Sequence, residues 1–226
     1  MNTTQIPVIT IDGPSASGKG TIAQLVAAKL GFHYLDSGAL YRLVALKAMQ
    51  SQTDITNTDQ LAAIAKNLNI TFTSGQIFLD DTIVTDAIRT EQCGILASQL
   101  AALPEIRAAL TERQRTFRQP PGLVTDGRDM GSVIFPDAVL KIFLTASANV
   151  RAQRRYNQLK EKGINANIAD LLQDIQKRDE RDSNRSIAPL QQGTDARLLD
   201  TTSLTISQAQ DTVLSWYNEI DAKNSV

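Results

Sequence analysis

Two glycines five positions apart, Gly13 and Gly18, with Lys19 directly after the second, are the first residues whose types and spacing imply chemistry. They belong to the stretch Gly13-Pro14-Ser15-Ala16-Ser17-Gly18-Lys19-Gly20-Thr21. Glycine takes up backbone angles closed to other residues and lets amides approach oxygen atoms closely. A loop of N–H groups and the helix N-terminus behind it can then surround an anionic phosphate. Lys19 adds a mobile point charge beside it. The general pattern has Ser or Thr directly after the Lys, where its hydroxyl reaches Mg²⁺. Here Gly20 holds that place and Thr21 follows, so a contact from Thr21 to a metal, direct or through water, stays open. An Asn-Lys-x-Asp motif for reading guanine is absent. The plain alternative is a glycine turn carrying a surface lysine.

What surrounds the motif decides between these. Ile6 to Ile11 reads as a buried strand ended by Asp12-Gly13-Pro14. From Thr21 the period changes: Ile22, Leu25, Val26 and Leu30 fall on one helical face, and Gly31 supplies a stop. Strand, glycine turn and helix in succession are the arrangement a phosphate loop needs. A second helix is expected over Ala39–Gln50. Short β-type runs at Ile70–Thr73, Gln76–Leu79 and Thr82–Val84, divided by Ser74-Gly75 and Asp80-Asp81, predict a small antiparallel insertion. Helices follow over Thr90–Leu103 and from Pro104 to about Phe117. Buried strands are expected at Gly122–Asp126 and Val139–Thr145, then charged helices at Ala148–Lys162 and Ile168–Arg181. A last strand, Leu198–Asp200, leads to a C-terminal helix. Its capping-box spacing is Thr205 to Gln208, and Ile206, Ala209, Val213, Trp216 and Ile220 lie on one side. Alternating strands and helices imply a parallel sheet covered on both faces, an α/β/α three-layer fold.

The bulk composition is ordinary for a globular chain. Its 226 residues are 42% hydrophobic and 21% charged, enough for a core without disulfides, and Cys93 is the single cysteine. Met1–Asp12 has no Lys or Arg, and no apolar run reaches the roughly 18–20 residues that cross a bilayer. The expected address is the cytoplasm, with no membrane partner. Lys plus Arg (23) nearly balance Asp plus Glu (24), so a long nucleic acid is not the expected ligand. The cations crowd instead: Arg151–Arg185 holds nine Lys/Arg against six Asp/Glu, which suits a small polyanion or a solvated helical face. The only histidine, His33, reads as a loop or packing residue, and no Cys/His cluster suggests a structural metal.

Four stretches together resemble the bacterial cytidylate kinase family of P-loop kinases. They are Asp12-Gly-Pro-Ser-Ala-Ser-Gly-Lys-Gly-Thr21, Leu35-Asp-Ser-Gly-Ala-Leu-Tyr-Arg42, Asp126-Gly-Arg-Asp-Met-Gly131 and Arg178-Asp-Glu-Arg-Asp-Ser-Asn-Arg185. The first is shared by many kinases; the other three are more specific. The resemblance implies a single P-loop kinase domain with its core at about 1–62, 93–150 and 186–226. An acceptor-side insertion would lie at 63–92 and a helical lid at 151–185. It further implies ATP and CMP or dCMP as ligands, Mg²⁺ carried with ATP largely through phosphates and water, and a monomer.

Residue by residue, Arg42 and Arg128 look like acceptor-phosphate ligands, since a guanidinium holds a phosphate through paired hydrogen bonds at any working pH. A solvated helix residue at Arg42 and an internal ion pair at Arg128 are the alternatives. Ser37 resembles a further substrate contact. Asp126 ends an apolar run and either holds Mg²⁺ waters or orients Arg128. Ser98, Arg107 and Asp129 resemble the cytosine-reading set, and a carboxylate at Asp129 suits cytosine's exocyclic amine. Asp182 resembles a sugar contact. Arg178, Arg181 and Arg185, spaced three and four apart, would share one face of a continuing helix and neutralise the transferring phosphoryl group. A salt-bridged surface helix is the plain reading of the same stretch. Within the resemblance, Lys19, Arg128, Arg181 and Arg185 carry the transfer, from ATP to CMP giving ADP and CDP. Rival readings are a kinase for another small acceptor and a nucleotide-binding switch without transferase activity.

Overall fold

The structure, a computed structural model, describes residues 5–73, 75–185 and 187–224. It forms two compact units, one made of the chain up to Leu35 together with the chain from Phe117 onward, the other of Asp36–Thr116.

The first unit is built on a five-stranded sheet. Its strands are β1 (Val8–Asp12), β2 (His33–Asp36), β6 (Leu123–Gly127), β7 (Leu140–Thr145) and β8 (Arg197–Asp200), in the order β2-β6-β1-β7-β8. β1 runs parallel to both β6 and β7, and β7 runs parallel to β8. This is the mostly parallel α/β architecture that the alternating pattern implies. Strand β1 is buried along its whole length, as expected for a central parallel strand. Its side chains still sort by face. Ile9 and Ile11 join Val124, Ile142 and Leu144 in one core cluster with Ile22, Ala23, Val26 and Ala27 of α1 (Lys19–Leu30). Ala209, Val213 and Tyr217 of α8 (Ile206–Asn224) complete that cluster, where Phe32 meets Tyr217 edge to face at 5.7 Å. By the two-residue period, Thr10 and Asp12 point to the other face. There they meet a π-helical turn, Met130–Ile134.

Helix ends follow local chemistry. Gly31 closes α1 at φ 67°, a left-handed angle that glycine takes without penalty. Thr205 and Gln208 form the expected capping box, Gln208 N–H donating to Thr205 Oγ1 at 3.2 Å and Thr205 N–H to Gln208 Oε1 at 2.9 Å. Charged helices α6 (Ala148–Glu161) and α7 (Ile168–Ser183) pack against each other.

In the second unit, α2 (Ser37–Gln50) packs on α3 (Thr58–Lys66) and α4 (Glu91–Leu100), and α3 packs on α5 (Pro104–Arg115). A separate antiparallel sheet holds β3 (Ile70–Thr73), β4 (Gln76–Leu79) and β5 (Thr82–Ile83). This is the small insertion the sequence predicts. Asp80 and Asp81 make its second turn at φ 48° and 62°, left-handed angles that Asp tolerates. Of the expected Ser74-Gly75 turn, Ser74 lies outside the described residues, and Gly75 has φ 74°.

Several expectations need correcting. β1 starts at Val8, not Ile6, and β2 and α3 were not anticipated. Leu25 and Ile206 are exposed, at 37% and 58%. Each lies on its helix beyond the strip that meets the sheet, where alanines (Ala23, Ala27, Ala209) make the close contact instead. Arg185 is not on a continuing helix, because α7 ends at Ser183 with Asn184 as its cap. Among the described residues, no helix is long and apolar enough to cross a membrane.

Candidate active site

The glycine loop leaves the C-terminal end of β1, where ligands gather in open α/β sheets. A side chain at Gly13 would put its first carbon 2.0 Å from the Leu144 carbonyl oxygen, so only glycine fits there. Gly18 sits at φ 94°, and Ala16 takes a left-handed φ of 56°, uncommon for a residue with a side chain. Two arginines of α6 hold the loop from outside. Arg151 Nη1 donates to Ser15 O at 3.1 Å, and Arg154 Nη1 donates to Ser17 O at 2.8 Å. Both are braced in turn, Arg151 by Asp179 at 2.6 Å and Arg154 by Thr201 O at 2.7 Å. Carbonyls drawn outward leave the loop's N–H groups turned inward. Gly18, the N-cap of α1, offers no side-chain oxygen, so the first amides of that helix also face the loop. The hydroxyls of Ser15 and Ser17 are buried without a protein partner. Buried donors of this kind are what an anion satisfies. Lys19 Nζ reaches back to Pro14 O at 3.2 Å. Thr21 is exposed.

β6 is the strand beside β1, with Asp126 opposite Ile11 and Gly127 opposite Asp12. The two strands are further tied where Gly13 N–H donates to Gly127 O at 3.3 Å. Asp126 is buried and accepts from the Tyr34 hydroxyl at 2.7 Å. A side chain at Gly20 would start 3.7 Å from Asp126 Oδ1 and 3.8 Å from Oδ2, so glycine there keeps room in front of the carboxylate. Among the described residues no three His, Cys, Asp or Glu side chains gather as a metal cage. A single carboxylate beside a phosphate loop fits Mg²⁺, which binds through one or two carboxylates, substrate phosphates and retained waters. It does not fit a metal held by protein alone.

Arg128 follows directly. Its Nε donates to Asp182 Oδ2 at 2.8 Å, and its Nη1 to Gly127 O at 3.2 Å. Asp182 is wholly buried and also pairs with Arg185. Burial pushes the Asp182 carboxyl up, but Arg128, Arg185 and Arg178 together hold it below the ordinary carboxylate value. Asp129 is buried at the start of the π-helical turn, and Arg181 is exposed on α7.

The second unit carries its own set. Ser37 is buried in the first turn of α2, which Asp36 caps. Arg42 Nη1 donates to Ile88 O at 2.7 Å and lies beside Gly94, where a side chain would start 3.0 Å from Arg42 Nη2. Ser98 on α4 is buried with its hydroxyl unpartnered, and Arg107 on α5 is buried and donates to Ala101 O at 3.3 Å. His33, expected as a loop or packing residue, is instead an exposed residue of β2. Its ring meets Pro120 O, and Cys93 is buried, its thiol donating to Arg42 O and pushed up in pKa by that burial. Arg151, Arg154 and Tyr34 escaped the sequence reading. The cation density of 151–185 was the available signal for the two arginines; nothing in the spacing marks Tyr34.

The family model described as Cytidylate kinase matches residues 9–219. A cytidylate kinase of Polynucleobacter asymbioticus is 63% identical over 212 residues, covering 94% of this chain and 96% of that protein. One from Nitrosomonas europaea is 59% identical over 219 residues, with 97% and 98% covered. One from Burkholderia mallei is 58% identical over 214 residues, with 95% and 94% covered. The chain belongs to the cytidylate kinase family.

Proposed function

We propose that the protein transfers the γ-phosphoryl group of ATP to CMP, and also to dCMP, giving ADP and the corresponding diphosphate. The carrying observation is that two neighbouring parallel strands end side by side in complementary chemistry. β1 runs into a phosphate loop, and β6 runs into the Asp126–Arg128–Asp129 turn. Family membership at about 60% identity supports the same reaction.

In this reading, the loop amides from Gly13 to Thr21 and Lys19 hold the donor phosphates. Arg42 and Arg128 hold the acceptor phosphate, with Arg178 and Ser37 as further contacts. Ser98, Arg107 and Asp129 read the base, and Asp182 meets the sugar. Arg181 and Arg185 spread positive charge over the transferring group, within a lid at about 151–185. The stretch at about 63–92 serves the acceptor side, and the chain acts as one kinase domain and a monomer in the cytoplasm. The attacking atom is a phosphate oxygen, already deprotonated at neutral pH, so no strong base is required. Positioning, charge neutralisation and exclusion of water do the chemistry. Mg²⁺, when bound with ATP, would draw charge from the β- and γ-oxygens; Asp126, oriented by Tyr34, would hold its waters.

The test is a coupled assay of ADP release across CMP, dCMP, UMP, AMP and GMP. Release that depends on CMP and dCMP above the rest is expected. Slow release indifferent to every acceptor would reject the reading in favour of a nucleotide switch. Asp129→Ala should narrow the preference for CMP over UMP, because a mispaired buried polar group costs about 1–3 kcal/mol, or roughly 5- to 150-fold. An unchanged ratio with both reactions intact would remove Asp129 from base choice.

A further inference from the structure

Asp12 is a buried acid that the proposed chemistry does not use. It ends β1 immediately before Gly13, on the strand face opposite the α1 and α8 core, and is 8% exposed. Its carboxylate accepts one backbone hydrogen bond on each oxygen: Met130 N–H donates to Oδ1 and Gly131 N–H to Oδ2, both at 2.9 Å. Those amides open the π-helical turn that follows Arg128 and Asp129 without a break. The turn is gripped further on, where Val133 N–H and Ile134 N–H both donate to Asp129 O. It is also pressed close to β1, since a side chain at Gly131 would start 2.6 Å from Thr10 Oγ1.

A carboxylate is an expensive group to bury for fastening a turn. Burial pushes Asp12 up to about 6 although both amides, and Arg128, pull it down. A Ser or Asn would cap an ordinary turn without that penalty. What a carboxylate offers instead is a two-pronged, charge-assisted grip with a defined direction. Its neighbour on one side is the phosphate loop, and on the other the residues that face the acceptor. The loop and the turn thus share one anchor at the end of a central strand.

We infer that Asp12 is a positioning residue for base choice: its two hydrogen bonds set the Arg128–Asp129 segment against the phosphate loop, so that discrimination between acceptors passes through it. This rests on the reading of Arg128 and Asp129 as acceptor ligands. Asp12 itself touches no substrate. Displacing a supporting group by about 1 Å can cost on the order of 100-fold in rate, which is ample for such an effect.

The experiment measures kcat and KM for CMP and UMP, and KM for ATP, in Asp12→Asn, Asp12→Ala, Asp129→Ala and the double variant Asp12→Ala/Asp129→Ala. Asp12→Asn keeps the shape but turns an N–H₂ donor towards a backbone N–H, so one grip is lost without removing the side chain. We expect KM for CMP to rise about tenfold and the CMP-to-UMP ratio of kcat/KM to fall about fivefold, while KM for ATP stays within about twofold. Asp12→Ala should go further alone, yet change the ratio no more in the Asp129→Ala background. Parallel rises in KM for ATP and CMP with an unchanged ratio would assign Asp12 to general support and overturn the inference. So would Asp129→Ala narrowing the ratio while neither Asp12 variant does. Asp129→Ala leaving the ratio untouched would instead bring down the acceptor reading, and this inference with it. If Asp12→Ala does not fold, the Asp12→Asn ratio alone decides.

Discussion

On the proposed function, two regions of the first unit would handle phosphate charge by opposite means. The loop from Gly13 to Thr21 is built from backbone: amides turned inward, carbonyls drawn outward by Arg151 and Arg154, and one lysine added. The end of α7 is built from side-chain charge, with Arg128 and Arg185 closed around the buried carboxylate of Asp182. A backbone site keeps its shape whatever the pH, because amides do not titrate. A charge-built site depends on ionisation, and to bind a phosphate these arginines would have to exchange an internal anion for an external one. The first region is held by backbone geometry, and the second by paired charges.

That contrast breaks most visibly at Lys19. Lys19→Ala should lower kcat by at least about 100- to 1,000-fold, the scale of losing one strong transition-state charge contact, while the unfolding midpoint stays in place. Near-normal turnover would take Lys19 out of the chemistry and leave the amides to act alone.

Next in size is Asp182→Ala. Removing one partner from a buried ion pair leaves uncompensated charge and typically costs about 3–5 kcal/mol, to be read from urea unfolding. A loss below about 1 kcal/mol would mean that solvent already screens Arg128 and Arg185, and the comparison above would lose its second half.

The two buried acids should then separate by pH. Asp182 is held below its ordinary value, so it contributes stability above the unfolded carboxylate range and loses it as pH falls through its folded value. Asp12 is raised from 3.8 to about 6, so its contribution is complete below the unfolded value and is lost as pH rises through about 6. The shift corresponds to roughly 3 kcal/mol as an upper bound. Unfolding measured from pH 3 to 7 should therefore show Asp12→Asn removing a decline between about pH 4 and 6, and Asp182→Asn flattening the acid limb below about pH 4. Identical profiles for the two variants would contradict these opposite signs.

The smallest effect belongs to Gly20. A side chain there would meet nothing nearer than Tyr34 Oη at 3.5 Å, an ordinary contact. Gly20→Ala should raise stability by about 0.5–1 kcal/mol through helix propensity. A fall in the thermal midpoint would show that the room before Asp126 is needed by the fold itself.

Legibility followed the range of the interactions. β1, the glycine loop, α1, the β3–β5 insertion and the Thr205–Gln208 capping box were all readable, since each rests on spacing within a few residues. β2 buries only Leu35, and α3 only Leu61 and Ala65, so neither carries a periodic apolar signal. Leu25 and Ile206 fit the apolar pattern of their helices yet face outward, because which strip of a helix meets the sheet depends on the docking angle. Ser37, Ser98, Arg107 and Asp129 were nameable through resemblance, but their burial was not.

By itself the chain order determined that a strand, a glycine turn and a helix would follow one another, since backbone freedom and hydrophobic period are local properties. It determined the family too, through motifs spread over nearly the whole length. Only tertiary structure decided that Asp12 would grip Met130 and Gly131 from 118 and 119 positions away, or that Arg151 would clasp Ser15 from 136 away. Such partners are selected by which strand ends lie side by side, and a carboxylate or guanidinium in a sequence carries no mark of the amide or carbonyl it will meet.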